Sequence, residues 1–421
     1  MNLVVDSNFS RANIYQTFLK NSIEFQIIES VFATNFTCMI DLANELFISI
    51  STLKRIVSRI NKVIQVEGFI INLKKMRLSG DPLSICNFMQ YYYKEKYVTA
   101  DRLLSPLQLA ILDQILLETL EEQFPESTPH VNFSFLNKLR FCTYAVIIFL
   151  KHDTSGLLYR KPQESFGILT NTHICDEFFK QFSVKLTGFV LSNIFHCFFD
   201  PSYIRSIDNL NAEATLNPQI QRQQHKIMSF IQELEKKINC PCQKKNNVLL
   251  HLYNLQNQIH GRTYIFYDTN REFYLNLLHY YGSFISDIMQ SLEAIFYKTP
   301  HKEYLLYQAF FMLLTNWPDL LESLERPTCP IKAGMLYDAN KDYVEILAKK
   351  TEYYLNNRFI CTPLPVSSIA ELEAVAPLFD CIITNISDIS VPKVPVIVTP
   401  LLFDVESFDK LNYFYEHHFK K

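Results

Sequence analysis

Glycine is scarce in this chain, with 8 residues among 421. Tryptophan occurs once, whereas phenylalanine and tyrosine number 34 and 23. So few residues free to adopt left-handed backbone, and so many bulky ones, argue against a mainly β fold built on glycine turns and against disorder. No apolar run reaches the roughly 18 residues that a membrane span needs, so none is expected. The longest, Tyr144 to Leu150, has the length of a core-helix segment. The first six residues lack the basic start and apolar centre of a signal peptide. Ten cysteines are scattered without a framework, and Cys240-Pro241-Cys242 is the one close pair. With no second pair at ligand spacing, no zinc site, metal or cofactor is expected, and free thiols fit a reducing cytoplasm.

What is present is apolar residue enough for packed cores: 48% of the chain is hydrophobic. Its length suits about three domains. The most informative stretch is 39–80. Ile40, Leu42, Ala43 and Leu46 line one side of a short helix, and small Ala43 lets a second helix cross closely. Ser49 is suited to cap that second helix, whose buried stripe is Leu53, Ile56, Val57 and Ile60. Gly68 breaks the pattern. Residues 69–73 and 76–79 then read as two short strands, with Lys74 and Lys75 at the tip. This is the pattern of a helix-turn-helix running into a basic hairpin wing. Ser51, Thr52 and Arg55 are expected near base edges, and Lys54, Arg59 and Lys62 near phosphates, with Lys74 and Lys75 reaching a neighbouring phosphate. Between Ser51 and Asp81 seven basic residues face two acidic ones, a net of +5 in a chain whose net charge is −3. An amphipathic helix pair with a solvated basic surface fits the same charges.

From about 104 to 325 the chain alternates apolar-periodic segments with polar joints. Ser105-Pro106 is a helix start, followed by the stripe Leu109, Leu112, Ile115, Leu116 and Leu120. Further helices are expected over 133–150, 175–199, 226–238, 247–259, 273–296 and 303–324, with a polar seam at 208–224 and a loop at 240–246. From 332 the texture becomes strand, helix, strand, helix, strand, strand, helix, an α/β pattern with a largely parallel sheet.

The segments Ile14-Tyr15, Leu19 to Ser22 and Phe25 to Phe32, then Leu42-Ala43, Leu46 to Ser49 and Ser51 to Leu53, resemble the helix-turn-helix domain of the Mga/AtxA family of Gram-positive virulence transcription regulators. Arg77 to Asp81 and Phe88 to Tyr97 are similar to the segment after the family's wing. The resemblance implies a mainly α protein with a C-terminal α/β domain. It implies a winged helix-turn-helix (1–100), two helical phosphotransferase regulation domains (101–210 and 211–326) and an enzyme IIB-like α/β sandwich (327–421). The first of the family's two winged-helix modules is expected to be missing. A histidine in each helical bundle would take phosphate from the phosphocarrier protein of the sugar phosphotransferase system. His152, at a polar helix exit near Arg160 and Lys161, and His260, beside Gly261-Arg262, are the expected acceptors, with His173, His196 and His279 weaker; each also fits an ordinary histidine. Enzyme IIB proteins carry phosphate on a cysteine after the first strand. Here that loop is Tyr337-Asp338-Ala339-Asn340, so no enzyme is expected, and the domain would serve dimerisation or sensing. The expected partners are double-stranded DNA and a second copy in a homodimer, with no membrane. A dimerising interaction protein, a phosphotransferase component and an RNA-binding antiterminator are the alternatives.

Overall fold

The computed structural model describes residues 11–125, 132–152, 165–299, 301–325, 330–355 and 357–418. It divides into two compact units, Met1–Ile227 with Leu249–Glu272 and Leu292–Phe310, and Met228–Val248 with Phe273–Ser291 and Phe311–Lys421.

The first unit opens with α1 (Arg11–Asn21), α2 (Ile23–Ala33), α3 (Met39–Glu45) and α4 (Ile50–Ile64). Phe47 turns the chain between α3 and α4 with φ 53, a left-handed conformation uncommon for a bulky residue. Ser49 caps α4 by accepting from the Thr52 amide at 3.1 Å. The expected stripe Leu53, Ile56, Val57 and Ile60 is buried. The antiparallel strands β1 (Phe69–Asn72) and β2 (Arg77–Gly80) follow, paired from Phe69↔Gly80 to Asn72↔Arg77. Gly80 stands at φ 153, and a Cβ there would lie 2.3 Å from the Gly68 carbonyl oxygen. Only glycine fits that position.

Asp81 caps α5 (Pro82–Tyr97) by accepting from the Ser84 amide, with Pro82 at the first helical turn. On α5, the Tyr92 hydroxyl donates to Glu29 and Lys96 pairs with the same carboxylate, joining α5 to α2. Next come α6 (Pro106–Gln123), with a full capping box from Ser105 and Gln108, and α7 (Phe133–His152). Arg140 of α7 grips Asp113 of α6 with two bonds, at 2.7 and 2.5 Å. By length and composition α7 is the one helix among the described residues apolar enough to cross a membrane. It packs against α2 and α5, and Phe141, Ala145, Val146 and Ile147 are fully buried in the core. That is the setting of a core helix.

The expected helix over 175–199 is three: α8 (Thr172–Phe182), α9 (Gly188–Ile194) and α10 (His196–Phe199). Ser183 leaves α8 left-handed, and the Thr187 hydroxyl caps α9. The polar seam 208–224 is helical instead, within α11 (Ile207–Leu216) and the start of α12 (Pro218–Ile238). Ser206 caps α11, whose Leu210 and Ala214 are buried. Sparse apolar residues at helical spacing were enough to order a segment of polar composition.

Helices α13 (Lys245–Gln258), α14 (Thr269–Tyr281), α15 (Ser283–Ile295) and α16 (Lys302–Asn316), like α12, contribute residues to both units. The expected helix 273–296 is split by Gly282 at φ 55. The expected helix 303–324 ends at Asn316, before Pro318 opens α17 (Pro318–Glu325). Proline cannot continue the helix, and the residue before it is pushed out of helical backbone.

The second unit ends in a four-stranded parallel sheet of order β4-β3-β5-β6. Its elements are β3 (Ile331–Leu336), α18 (Lys341–Tyr354), β4 (Phe359–Pro363), α19 (Ile369–Val375), β5 (Cys381–Thr384), β6 (Val396–Val398) and α20 (Val405–His418). Alternation along the strands sets the layers. Ile331, Ala333, Met335, Cys381 and Ile383 meet Val344 and Leu347 of α18 and Leu411 of α20, while Ile382 meets Leu372 of α19 on the opposite face. Gly334 lets the sheet accept that face closely: a Cβ would come 2.8 Å from Ile382 Cδ1 and 2.9 Å from Leu364 Cδ1. The alternating pattern seen from residue 332 onward is therefore one all-parallel sheet covered by helices.

Candidate nucleic-acid interface

Helix α4 presents Ser51, Lys54, Arg55, Ser58, Arg59 and Lys62 to solvent, at offsets of three and four that keep them on one side. Thr52 is half-buried. The Ser49 hydroxyl lies 2.8 Å from that of Ser51 and donates to that of Thr52 at 2.9 Å. The first turn is therefore bound up in its own cap. The cations further along divide. Arg59 donates to Glu24 of α2 at 2.7 Å. Its hydrogen bond to Ser22, the neighbouring Arg59 charge and a backbone donor hold the Glu24 carboxyl below its usual range against a modest burial effect. Both side chains remain solvated, so this pair is weak.

Buried Phe69, Ile71, Met76 and Leu78 pack the hairpin into the core that α4 also lines, and one side chain adds a polar clamp. Asn61 Nδ2 donates to the Ile71 carbonyl at 3.0 Å, and the Ile71 amide donates back to Asn61 Oδ1 at 2.8 Å. At the tip Asn72 Oδ1 accepts from the amides of Lys74 and Lys75, at 3.0 and 3.1 Å. Such a turn ties the loop to its own backbone and leaves both lysine side chains in water. Exposed cations are thus carried both by α4 and by the hairpin tip. Asn61 lay unnoticed in the sequence, because a polar residue inside a basic helix gives no sign of facing a strand. Ser58 belongs to the same exposed side.

His152, at the end of α7, is half-buried. Its Nε2 lies 3.1 Å from the Ala33 carbonyl, which accepts its proton, and its Nδ1 is buried without a hydrogen-bond partner. Burial lowers its basicity and the neighbouring Lys151 charge adds to this, more than the bond to Ala33 restores. The ring lines a cleft of about 410 Å³ with Thr34, Asn35, Phe36, Lys75, Met76 and Arg77. Sequence reasoning did not connect His152 to the hairpin; Arg160 and Lys161, proposed beside it, lie outside the described residues.

His260 lies two residues beyond α13, in a cluster with His196 and Cys197. Arg262 nearby is turned to Glu67, at 3.0 Å. In the second unit, the loop 337–340 holds no cysteine, and Cys361 and Cys381 are buried in the sheet. Burial pushes the Cys361 thiol up to about 12 and raises that of Cys381 as well.

Comparison with known proteins bears on the front of the chain first. Residues 7–93 match the family model described as the Mga helix-turn-helix domain. Over 361 residues the chain is 22% identical to a protein of Streptococcus pneumoniae serotype 4 (strain ATCC BAA-334 / TIGR4) named "Putative trans-acting regulator". That match covers 82% of this chain and 72% of the relative. The domain match spans α1 to α5, the helices and hairpin that build the basic surface. The front of this chain is thus similar to the Mga helix-turn-helix domain, and its similarity to the trans-acting regulator extends well past that segment.

Proposed function

We propose that this chain is a transcriptional regulator that binds duplex DNA through a winged helix-turn-helix, α4 entering the major groove and the hairpin gripping the adjoining backbone. The observation that carries the reading is the set of exposed cations: Lys54, Arg55, Arg59 and Lys62 along α4 and Lys74 and Lys75 at the tip of the hairpin, which Asn61 bonds to α4. Phosphate contacts of this kind supply most of the affinity and make it fall steeply with salt. Arg55, on the same side as Ser51, is assigned to base edges and the lysines to phosphates.

The rest of the chain is assigned to control. The helical segments 101–210 and 211–326 act as phosphotransferase regulation domains, and 327–421 as an enzyme IIB-like domain that dimerises the protein in the cytoplasm. The cleft shared by His152, Lys75 and Arg77 supports His152 as a phosphate acceptor. A dianion there would be drawn to the hairpin cations and change how they meet DNA. Because Nδ1 is buried, the ring must turn first. A role as a phosphotransferase enzyme is disfavoured by the cysteine-free loop 337–340 and the buried, weakly acidic sheet thiols.

The test is fluorescence anisotropy of the full chain on duplex DNA across a salt series, for wild type and Arg55→Ala/Lys62→Ala. The double variant is expected to bind more weakly and to lose about one unit of log–log salt slope for each phosphate contact removed. Equal affinity and slope would refute the assignment of α4 to DNA. Incubation with phosphorylated phosphocarrier protein tests the control reading: label on His152 supports it, and its absence there refutes it.

A further inference from the structure

His196, Cys197 and His260 come from segments more than sixty residues apart in sequence, yet one ligand atom from each lies within 4.8 Å of the other two. All three belong to the first unit. We propose that they form a binding site for a thiophilic d10 cation, Zn²⁺ or Cu⁺.

Three observations carry this. The first is that His196 is already oriented as a ligand. Its Nδ1 donates to the Asn193 carbonyl at 2.9 Å, which leaves Nε2 as the lone-pair nitrogen, 3.2 Å from Cys197 Sγ. Imidazoles that bind metals are characteristically fixed by such a bond from the other nitrogen. The second is spacing. Bond lengths of about 2.0–2.1 Å to nitrogen and 2.3 Å to sulfur place two ligand atoms on one ion about 3.5–3.8 Å apart. The 3.2 Å separation must widen by a few tenths of an ångström, and the others, at most 4.8 Å, must close by no more than about 1.3 Å.

The third is that the surrounding scaffold holds the two segments together by itself. Asn254 of α13 is buried and makes two bonds to the backbone of Ile204, at 2.8 and 2.6 Å. Asn257 donates to the Ser202 carbonyl at 3.0 Å. Buried Asn193 is in turn held by its bond to the Phe189 carbonyl at 2.8 Å. The loop after α10 is therefore pinned to α13 on the side adjoining the cluster, and the ligands do not have to be gathered by the ion.

The donor set selects the class of ion. One thiolate and two imidazoles suit soft and borderline cations and offer nothing to calcium or magnesium, which take oxygen. The set carries one negative charge, so Cu⁺ gives a neutral three-coordinate site. Zn²⁺ requires a fourth donor, which water can supply. Binding releases to solvent the one proton that Cys197 Sγ and His196 Nε2 share, and no redox step is involved. The ion would join α10 to the segment after α13 and would occupy the His260 ring, shielding it from phosphorylation.

The experiment uses the full chain, reduced and stripped of metal. It is titrated with Zn²⁺ against a chromophoric chelator and, without oxygen, with Cu⁺ against a Cu⁺-selective one. Co²⁺ serves as a spectroscopic substitute whose thiolate charge-transfer band reports Cys197. One ion per chain is expected. Cys197→Ser and His260→Gln should each weaken binding at least about a hundredfold, more than the loss of a supporting residue typically does. Circular dichroism checks that both variants remain folded. Cys240→Ser/Cys242→Ser should bind as wild type does. The two titrations decide between the ions. Failure to bind either ion stoichiometrically would overturn the proposal. So would binding that survives in both ligand variants or is lost only in the Cys240/Cys242 variant.

Discussion

Replacing Asn61 with alanine should loosen the hairpin against helix α4, leaving its buried apolar side chains to hold it. Its side chain makes two bonds to one residue, at 3.0 Å to the Ile71 carbonyl and 2.8 Å from the Ile71 amide. The Ile71 side chain is buried, so its backbone groups have restricted access to water. Each bond contributes about 1 kcal/mol net, and each partner left unsatisfied while buried costs about 1–3 kcal/mol. Asn61 is itself half-buried, so water entering the gap recovers part of this. A local loss of about 2–3 kcal/mol follows, which raises the opening constant of the hairpin about 30- to 150-fold. Hydrogen exchange read by mass spectrometry on peptides covering 69–80 measures this directly. The parallel sheet of the second unit, including 331–336, serves as the internal reference and should not change. Asn61→Asp retains the acceptor for the Ile71 amide and loses the donor, so it should fall between wild type and alanine. Duplex DNA affinity should drop together with protection, because Lys74 and Lys75 lose their fixed position relative to α4. Unchanged exchange over 69–80 in Asn61→Ala would refute the claim that this amide holds the two elements together.

Two further perturbations test the same region. Gly80→Ala puts a Cβ against the Gly68 carbonyl at φ 153 and should cost at least about 3 kcal/mol, visible as cleavage of the hairpin in limited proteolysis at protease levels that spare wild type. His152 is less basic in the fold than in the unfolded chain, where its pKa is near 6.5. Its contribution to stability is therefore complete above about pH 6.5 and is lost as the pH falls from there through the lower folded value. Thermal melts from pH 7.5 to 5.5 should show a steeper decline for wild type than for His152→Gln, and parallel curves would show that this ring does not titrate as its burial requires.

Much of the fold was legible because each helix and strand here announces itself over a few neighbouring residues. Ser49 and Ser105 stand where a hydroxyl can meet the first free amides, and both do so. The stripe Leu53, Ile56, Val57 and Ile60 repeats at the helical period and is buried. The C-terminal strands were recognisable as short β-branched runs because both faces of a parallel sheet are covered. Errors arose where a local signal was weak or was overruled. The polar composition of 208–224 read as a seam, yet Leu210 and Ala214 were enough to anchor a helix. Long helices were drawn across Ser183, Gly282 and Pro318, where one backbone position ends the run. The basic side of α4 was readable from spacing alone, whereas the attachment of the hairpin by Asn61 was not.

The sequence by itself therefore determined the order of elements, the stripe each helix buries and the cations it leaves in water, because caps and periodicity act within a few residues. Tertiary structure alone decided which distant groups meet: Arg59 with Glu24, His152 with Ala33 and the hairpin, and His260 with His196 and Cys197. No local pattern encodes these meetings. They follow from how helices pack, where the face a residue occupies is set by its neighbours in sequence but its partner is set by the whole core.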